Sequence, residues 1–217
     1  MYADDLRKVV DAITQAKVNV SQAYDGDLND FTRSLSEVLG ERKIKSVIAL
    51  GIGTVRPAEE GDNPQDYIQY EESLNQLAIL LNVIERFCPN AEKHWHEPHT
   101  EFAEEIEALS SLGFNVKGRS DLEELIFDGD QFLDGTNLYF LLGADYFLLD
   151  SVLKLLSANA VLHKSIFITG IYKERKVDSK FITYYFENAK AVRIPSFGGA
   201  LDGEFIVSFQ NPLQVGS

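Results

Sequence analysis

Ser46-Val47-Ile48-Ala49-Leu50-Gly51-Ile52-Gly53-Thr54 is the stretch that decides the fold. Val47 to Leu50 are apolar without alternation. A strand with one wet face alternates, whereas a strand covered by helices on both faces does not. The run ends at Gly51, and Gly53 follows one residue later. Two glycines so close predict a tight turn where a ligand can approach the backbone. The reading is a buried parallel strand whose carboxyl end opens onto a candidate pocket.

The same pattern recurs downstream. Asn137 to Leu142 is strongly apolar and ends at Gly143, and Ser165 to Thr169 is apolar and ends at Gly170. Ala91 to Glu97, cut off by Pro98, and Phe114 to Lys117 read as shorter strands. Helical spacing fills the intervals. Leu74, Leu77, Ala78, Leu81 and Ile84 mark a helix of about four turns, stopped by Cys88-Pro89-Asn90. Thr100 is placed to cap a helix carrying Glu101, Glu104 and Glu105 at its positive end, with Phe102, Ile106 and Leu109 as its buried side. Asp145 is placed to cap the next, whose buried side is Leu149, Val152, Leu153 and Leu156. Ser179 to Ala189 forms an aromatic-rich helix. Val192 to Pro195 and Glu204 to Phe209 close the chain as strands around the turn Phe197-Gly198-Gly199. Arg56 to Gln69, with Pro57, Gly61 and Pro64, reads as a long exposed loop. Asp121 to Ile126 reads as a helical turn.

Two helices precede this alternation. One buries Leu6, Val9, Val10 and Ile13, the other Phe31, Leu35, Val38 and Leu39. Tyr24-Asp25-Gly26-Asp27 is the turn between them, and Gly40 caps the second. The expected architecture is therefore α/β: a Rossmann-like three-layer fold with a mainly parallel sheet. Residues 1–43 form an N-terminal helical extension packed on the core, and residues 44–217 form the Rossmann-like domain.

Composition excludes several functions. The 217 residues carry a net charge of −14, which repels phosphate backbones and anionic membranes, so neither nucleic acid nor membrane is an expected partner. No apolar run approaches the roughly 20 residues of a membrane span. The opening Met1-Tyr2-Ala3-Asp4-Asp5-Leu6 lacks the basic-then-apolar order of a secretory signal. The lone Cys88 permits no internal disulfide and fits a reducing compartment.

In a parallel sheet, ligands sit beyond the carboxyl ends of the strands. That edge collects the candidate ligand-binding residues Gly51, Gly53, Thr54, Glu97, Gly143, Asp145 and Gly170. Gly51-x-Gly53 is half of a dinucleotide fingerprint, but Arg56 stands where the third glycine belongs, and no helix start follows directly to receive a pyrophosphate. A flat adenosine-type ligand requires less. Glu97, at the end of the second strand, could accept hydrogen bonds from both ribose hydroxyls, or cap the next helix as an exposed acid. His94 and His96 project to one strand face, yet with His99 they match no established zinc spacing, so no metal is assigned. Cys88 reads as an inert buried thiol, and no G-x-S-x-G elbow occurs, so no catalytic residue is assigned. Glu101 to Glu107 read as a solvated helix face. The residues name no cofactor.

The order of these pieces resembles the Sensitivity to Red Light Reduced family, the SRR-like domain. The resemblance rests on Ala49-Leu50-Gly51-Ile52-Gly53, Asn75-Gln76-Leu77-Ala78, Glu97-Pro98 and Glu105 to Gly113. Leu138 to Leu142, Leu153-Lys154-Leu155-Leu156 and Ile166-Phe167-Ile168-Thr169-Gly170 continue it. It spans about Ile44 to Tyr172. Three positions depart from the family pattern. Glu97 replaces the usual Asp. Leu142-Gly143-Ala144 stands where relatives carry a Pro-His pair, and Ile171-Tyr172 where they carry Asn-Ser. The resemblance implies a divergent regulatory protein of cytoplasm and nucleus. Its relatives act in light signalling and the circadian clock, or are linked to haem biosynthesis. A protein partner is implied, with a small ligand at the strand ends as a further expectation. The alternative is a methyltransferase-like or nucleotide-dependent enzyme, with Gly51 and Gly53 admitting an adenosine-containing cofactor and Glu97 holding its ribose.

Overall fold

Val47, Ile48, Ala49 and Leu50 are all buried because helices cover both faces of the strand that holds them. In the computed structural model, the described residues are 2–57, 64–97, 100, 102–117, 135–142, 146–158, 161–170, 179–194 and 204–208. They form α1 (Tyr2–Ala23), α2 (Asp25–Leu39), β1 (Ile44–Leu50), α3 (Pro64–Phe87), β2 (Glu92–His96), α4 (Ala103–Ser111) and β3 (Phe114–Lys117). Then come β4 (Thr136–Leu141), α5 (Tyr146–Ala158), a 3-10 turn (Leu162–Lys164), β5 (Ser165–Gly170), α6 (Lys180–Asn188), β6 (Lys190–Arg193) and β7 (Glu204–Ser208).

The strands make one seven-stranded sheet in the order β3-β2-β1-β4-β5-β7-β6. The first five are mutually parallel, and β7 runs antiparallel to both β5 and β6. Helices form the outer layers, so the fold is a Rossmann-like α/β sandwich. On one face Val47, Ala49, Leu138, Phe140, Ile166 and Ile168 meet α1, α2, α3 and α4. On the other, Ile48, Leu50, Tyr139, Leu141 and Phe167 meet α5 and α6. Strand order reverses between β1 and β4, and it is beside such a reversal that open α/β sheets take ligands.

Several local expectations change. The interval between α1 and α2 is Tyr24 alone, and Asp25-Gly26-Asp27 form the first turn of α2, where acids favour the positive end of the helix. Val10 is exposed, while Val9, Ile13, Ala16 and Val20 make the buried stripe of α1. Gly40 does close α2, at φ 62°. Helix α3 starts at Pro64, so the last six residues of the expected loop are helical, because proline is suited to the first helical position. Ser179 caps α6, accepting the amides of Phe181 and Ile182, and also donates to Asp150. The stretches 121–134 and 197–199 and the cap at Asp145 lie outside the described residues. Among those residues no helix is long and apolar enough to cross a membrane.

Candidate functional site

Beyond Leu50 the backbone can turn sharply only because glycine stands there twice. Gly51 has φ 64° and Gly53 φ 95°, left-handed values that a side chain would strain. Gly51 still belongs to the sheet, since its N–H donates to the His96 carbonyl at 3.2 Å. Gly53 has a second reason to be glycine. A Cβ there would come 2.5 Å from Ser73 Oγ. That hydroxyl, on α3, lies 2.8 Å from the Ile52 carbonyl and 2.8 Å from the Gln69 carbonyl, and ties the turn to the helix.

Carboxylates hold the turn from the other side. Glu97, at the end of β2 and only 4% exposed, accepts the Gly53 N–H on Oε2 at 3.0 Å. Glu105 of α4 is fully buried, and its Oε1 accepts the Val55 N–H at 2.6 Å and the Thr54 hydroxyl at 3.0 Å. Arg56 completes the clamp. Its Nε lies 3.3 Å from Glu104 Oε1, and its guanidinium sits 4.1 Å above the Phe102 ring. Burial pushes the Glu105 carboxyl above the usual carboxylate range. The two donated hydrogen bonds oppose that rise, and the charges of Glu97 and Glu104 add to it.

Three readings of α4 are thereby corrected. Phe102 and Ile106 are exposed, and the buried stripe is Glu105, Ala108 and Leu109. The acidic run is not wholly solvated, because Glu105 points inward to the Val55 N–H and the Thr54 hydroxyl of the turn. Thr100 does not cap α4. Its hydroxyl accepts from Trp95 Nε1 at 3.1 Å, and Phe102 occupies the cap position without a side-chain bond. Spacing alone held one clue to Glu105: it lies one turn before Leu109 on the face that Ala108 and Leu109 share.

Of the predicted residues, Gly51, Gly53, Thr54 and Glu97 come together at one point. Gly170 ends β5 at the same sheet edge, two strands from β1. Gly143 and Asp145 lie outside the described residues. Glu97 is not an exposed acid, and one of its oxygens is engaged by Gly53. His94 and His96 are both buried, in register with Ile48 and Leu50, and His94 Nε2 lies 3.8 Å from Glu92 Oε2. Among the described residues no group of three or more His, Cys, Asp or Glu is placed to hold a metal. Cys88 is buried, and that burial pushes its thiol up to about 11.

Comparison with known proteins adds the family. No curated protein matches the chain. Among solved structures it is similar to a Glu-to-Gln mutant of MtNAS in complex with S-adenosylmethionine. The TM-score is 0.51 at 13% identity, over 97% of this chain and 72% of that one. It is also similar to MtNAS in complex with MTA and tNA, with a TM-score of 0.49 at 15% identity, over 97% and 70% of the two chains. The first likeness is one of fold. The SRR1 domain matches residues 31–192, from within α2 to β6. This span exceeds half of the chain and contains the glycine turn and the carboxylates that hold it, so the chain belongs to the SRR1 domain family.

Proposed function

We propose that this SRR1-domain chain is a regulatory protein that acts through protein contacts and is tuned by a small adenosine-type ligand where β1 and β2 end. One observation carries the reading: Glu97 closes on the Gly53 amide at 3.0 Å. It places a carboxylate against a turn with glycine at two of its positions, beside the reversal of strand order. An acid at the end of the second strand suits ribose hydroxyls, and glycines suit a flat base or sugar lying against the backbone. The fold shared with a chain that holds S-adenosylmethionine supports the same ligand class.

That likeness also favours a second reading, a methyltransferase-like or nucleotide-dependent enzyme at the same turn. Binding without turnover separates the first reading from the second. The test is thermal unfolding with S-adenosylmethionine, MTA, adenosine and ATP in turn. A ligand at 100 times its Kd stabilises the fold by about 2.7 kcal/mol. Glu97→Ala abolishes the shift, and denaturant unfolding of the unliganded variant reports separately what the Gly53 bond contributes. Stabilisation without consumption of the ligand supports regulation, and consumption supports the enzyme. No shift with any of the four overturns both.

A further inference from the structure

The opposite end of β1 carries the reverse charge. From the end of α2 into the start of β1 the chain reads Glu41-Arg42-Lys43-Ile44-Lys45, so three cations fall within four positions of a chain whose net charge is −14. The strand is irregular at this point. Ile44 pairs with Thr136 and Ser46 with Asn137, which makes Lys45 one residue too many. Such a bulge is uncommon in a parallel pair and re-aims the side chains beside it. Gly135 makes room for the result. A Cβ added there would come 2.8 Å from Lys45 Cβ and 3.1 Å from its Cδ.

An open pocket of about 450 Å³ lies here, lined by Arg42, Lys43, Ile44, Lys45, Gly135 and Thr136. Arg42 is fixed by backbone. Its Nε and Nη2 donate to the Leu39 and Val38 carbonyls at 3.1 and 2.8 Å, and its Nη1 to the His163 carbonyl at 3.3 Å. Lys43 and Lys45 form no ion pair among the described residues. Ser46 and Asn137, which close the bulge, are buried. Ser46 Oγ and Asn137 Oδ1 have no hydrogen-bond partner among the described residues.

We propose that this pocket binds a small phosphate-bearing anion, held by Lys43 and Lys45 beside the fixed guanidinium of Arg42. Lysine binds phosphate as a point charge with three donors, and two such groups lining one pocket suit a compact anion with several oxygens. The acidity of the remaining surface disfavours an extended polyanion such as nucleic acid. The site is separate from the glycine turn, since six residues of extended strand put the two roughly 20 Å apart.

Pyrophosphate is the probe, titrated into the full chain and followed by calorimetry and thermal unfolding, with chloride at matched ionic strength as the reference. Pyrophosphate is expected to bind saturably and to raise Tm where chloride does not. Lys43→Gln and Lys45→Gln each weaken binding roughly tenfold, the loss of one charge-assisted contact. Lys154→Gln, on the exposed side of α5, leaves it unchanged and controls for net charge. Equal effects of pyrophosphate and chloride overturn the proposal. So does an equal loss in the Lys154 variant. A phosphopeptide or RNA oligomer binding far more tightly than pyrophosphate overturns the small-ligand assignment.

Discussion

The two ends of β1 solve opposite problems. At its carboxyl end, two glycines in left-handed conformation create a turn whose backbone donors are met by buried acids, Glu97 on Gly53 and Glu105 on Val55. At its amino end, a bulge sets Lys43 and Lys45 beside an open pocket, with no ion pair among the described residues. In the first region buried charge helps hold the chain in shape. In the second, charge is left on display. Buried charge that meets a backbone donor contributes to stability, whereas charge that faces solvent contributes little to it. The contrast makes predictions that differ in kind as well as size.

The largest effect is expected at Glu105. Replacing it by Ala leaves the buried Val55 N–H without its acceptor and takes one partner from the Thr54 hydroxyl. That costs about 3 kcal/mol in denaturant unfolding, whereas Glu105→Gln, which keeps an acceptor, loses much less. Equal losses in the two variants would mean that packing, not the hydrogen bonds, is what Glu105 supplies.

Gly53→Ala comes next. It places a Cβ at φ 95° and against Ser73 Oγ, and should cost roughly 2 kcal/mol. Adding Ser73→Ala relieves the contact but not the dihedral strain, so a double-mutant cycle should recover only part of the loss.

The pH response is smaller and tests the same carboxylate. Burial raises the Glu105 carboxyl above its ordinary value of 4.5, so the native state keeps its proton after the unfolded chain has released it. The contribution to stability is fully present below 4.5 and is lost as pH rises through the raised native value. Glu105→Gln cannot titrate. The difference in unfolding free energy between wild type and this variant should therefore shift with pH in that window, against the wild type at the higher end. A flat difference would place the group in a wetter setting than the structure shows.

The smallest effect is expected at the amino end. Lys43→Gln and Lys45→Gln should each change unliganded stability by no more than about 0.5 kcal/mol. A larger loss would make these lysines structural and erase the contrast between the two ends.

Much of the fold could be read locally. The apolar runs around Val47 to Leu50, Leu138 to Leu142 and Ile166 to Ile168 identify the strands buried on both faces, and the glycines that follow mark the ligand edge. The helix faces were harder. Phe102 and Ile106 fit a helical stripe with Leu109 as well as Ala108 does, and their apolar character favours the wrong one. Phe102 is exposed on the outer side of α4, with the Arg56 guanidinium over its ring. Pro64 reads as a loop residue until the helix that follows it is known.

By itself, then, the sequence determined the α/β alternation, the buried central strands and the Gly51-x-Gly53 turn. Each follows from short-range pattern: apolar continuity, turn chemistry and the freedom of glycine. Only the tertiary structure decided that Glu97 and Glu105 belong to that turn and that Lys45 stands at a bulge. Those facts join residues 44, 50 and 90 positions apart, Gly53 with Glu97, Val55 with Glu105, and Lys45 with Gly135. The partner of a buried polar group is set by which chain segments meet in space, and no local periodicity encodes that meeting.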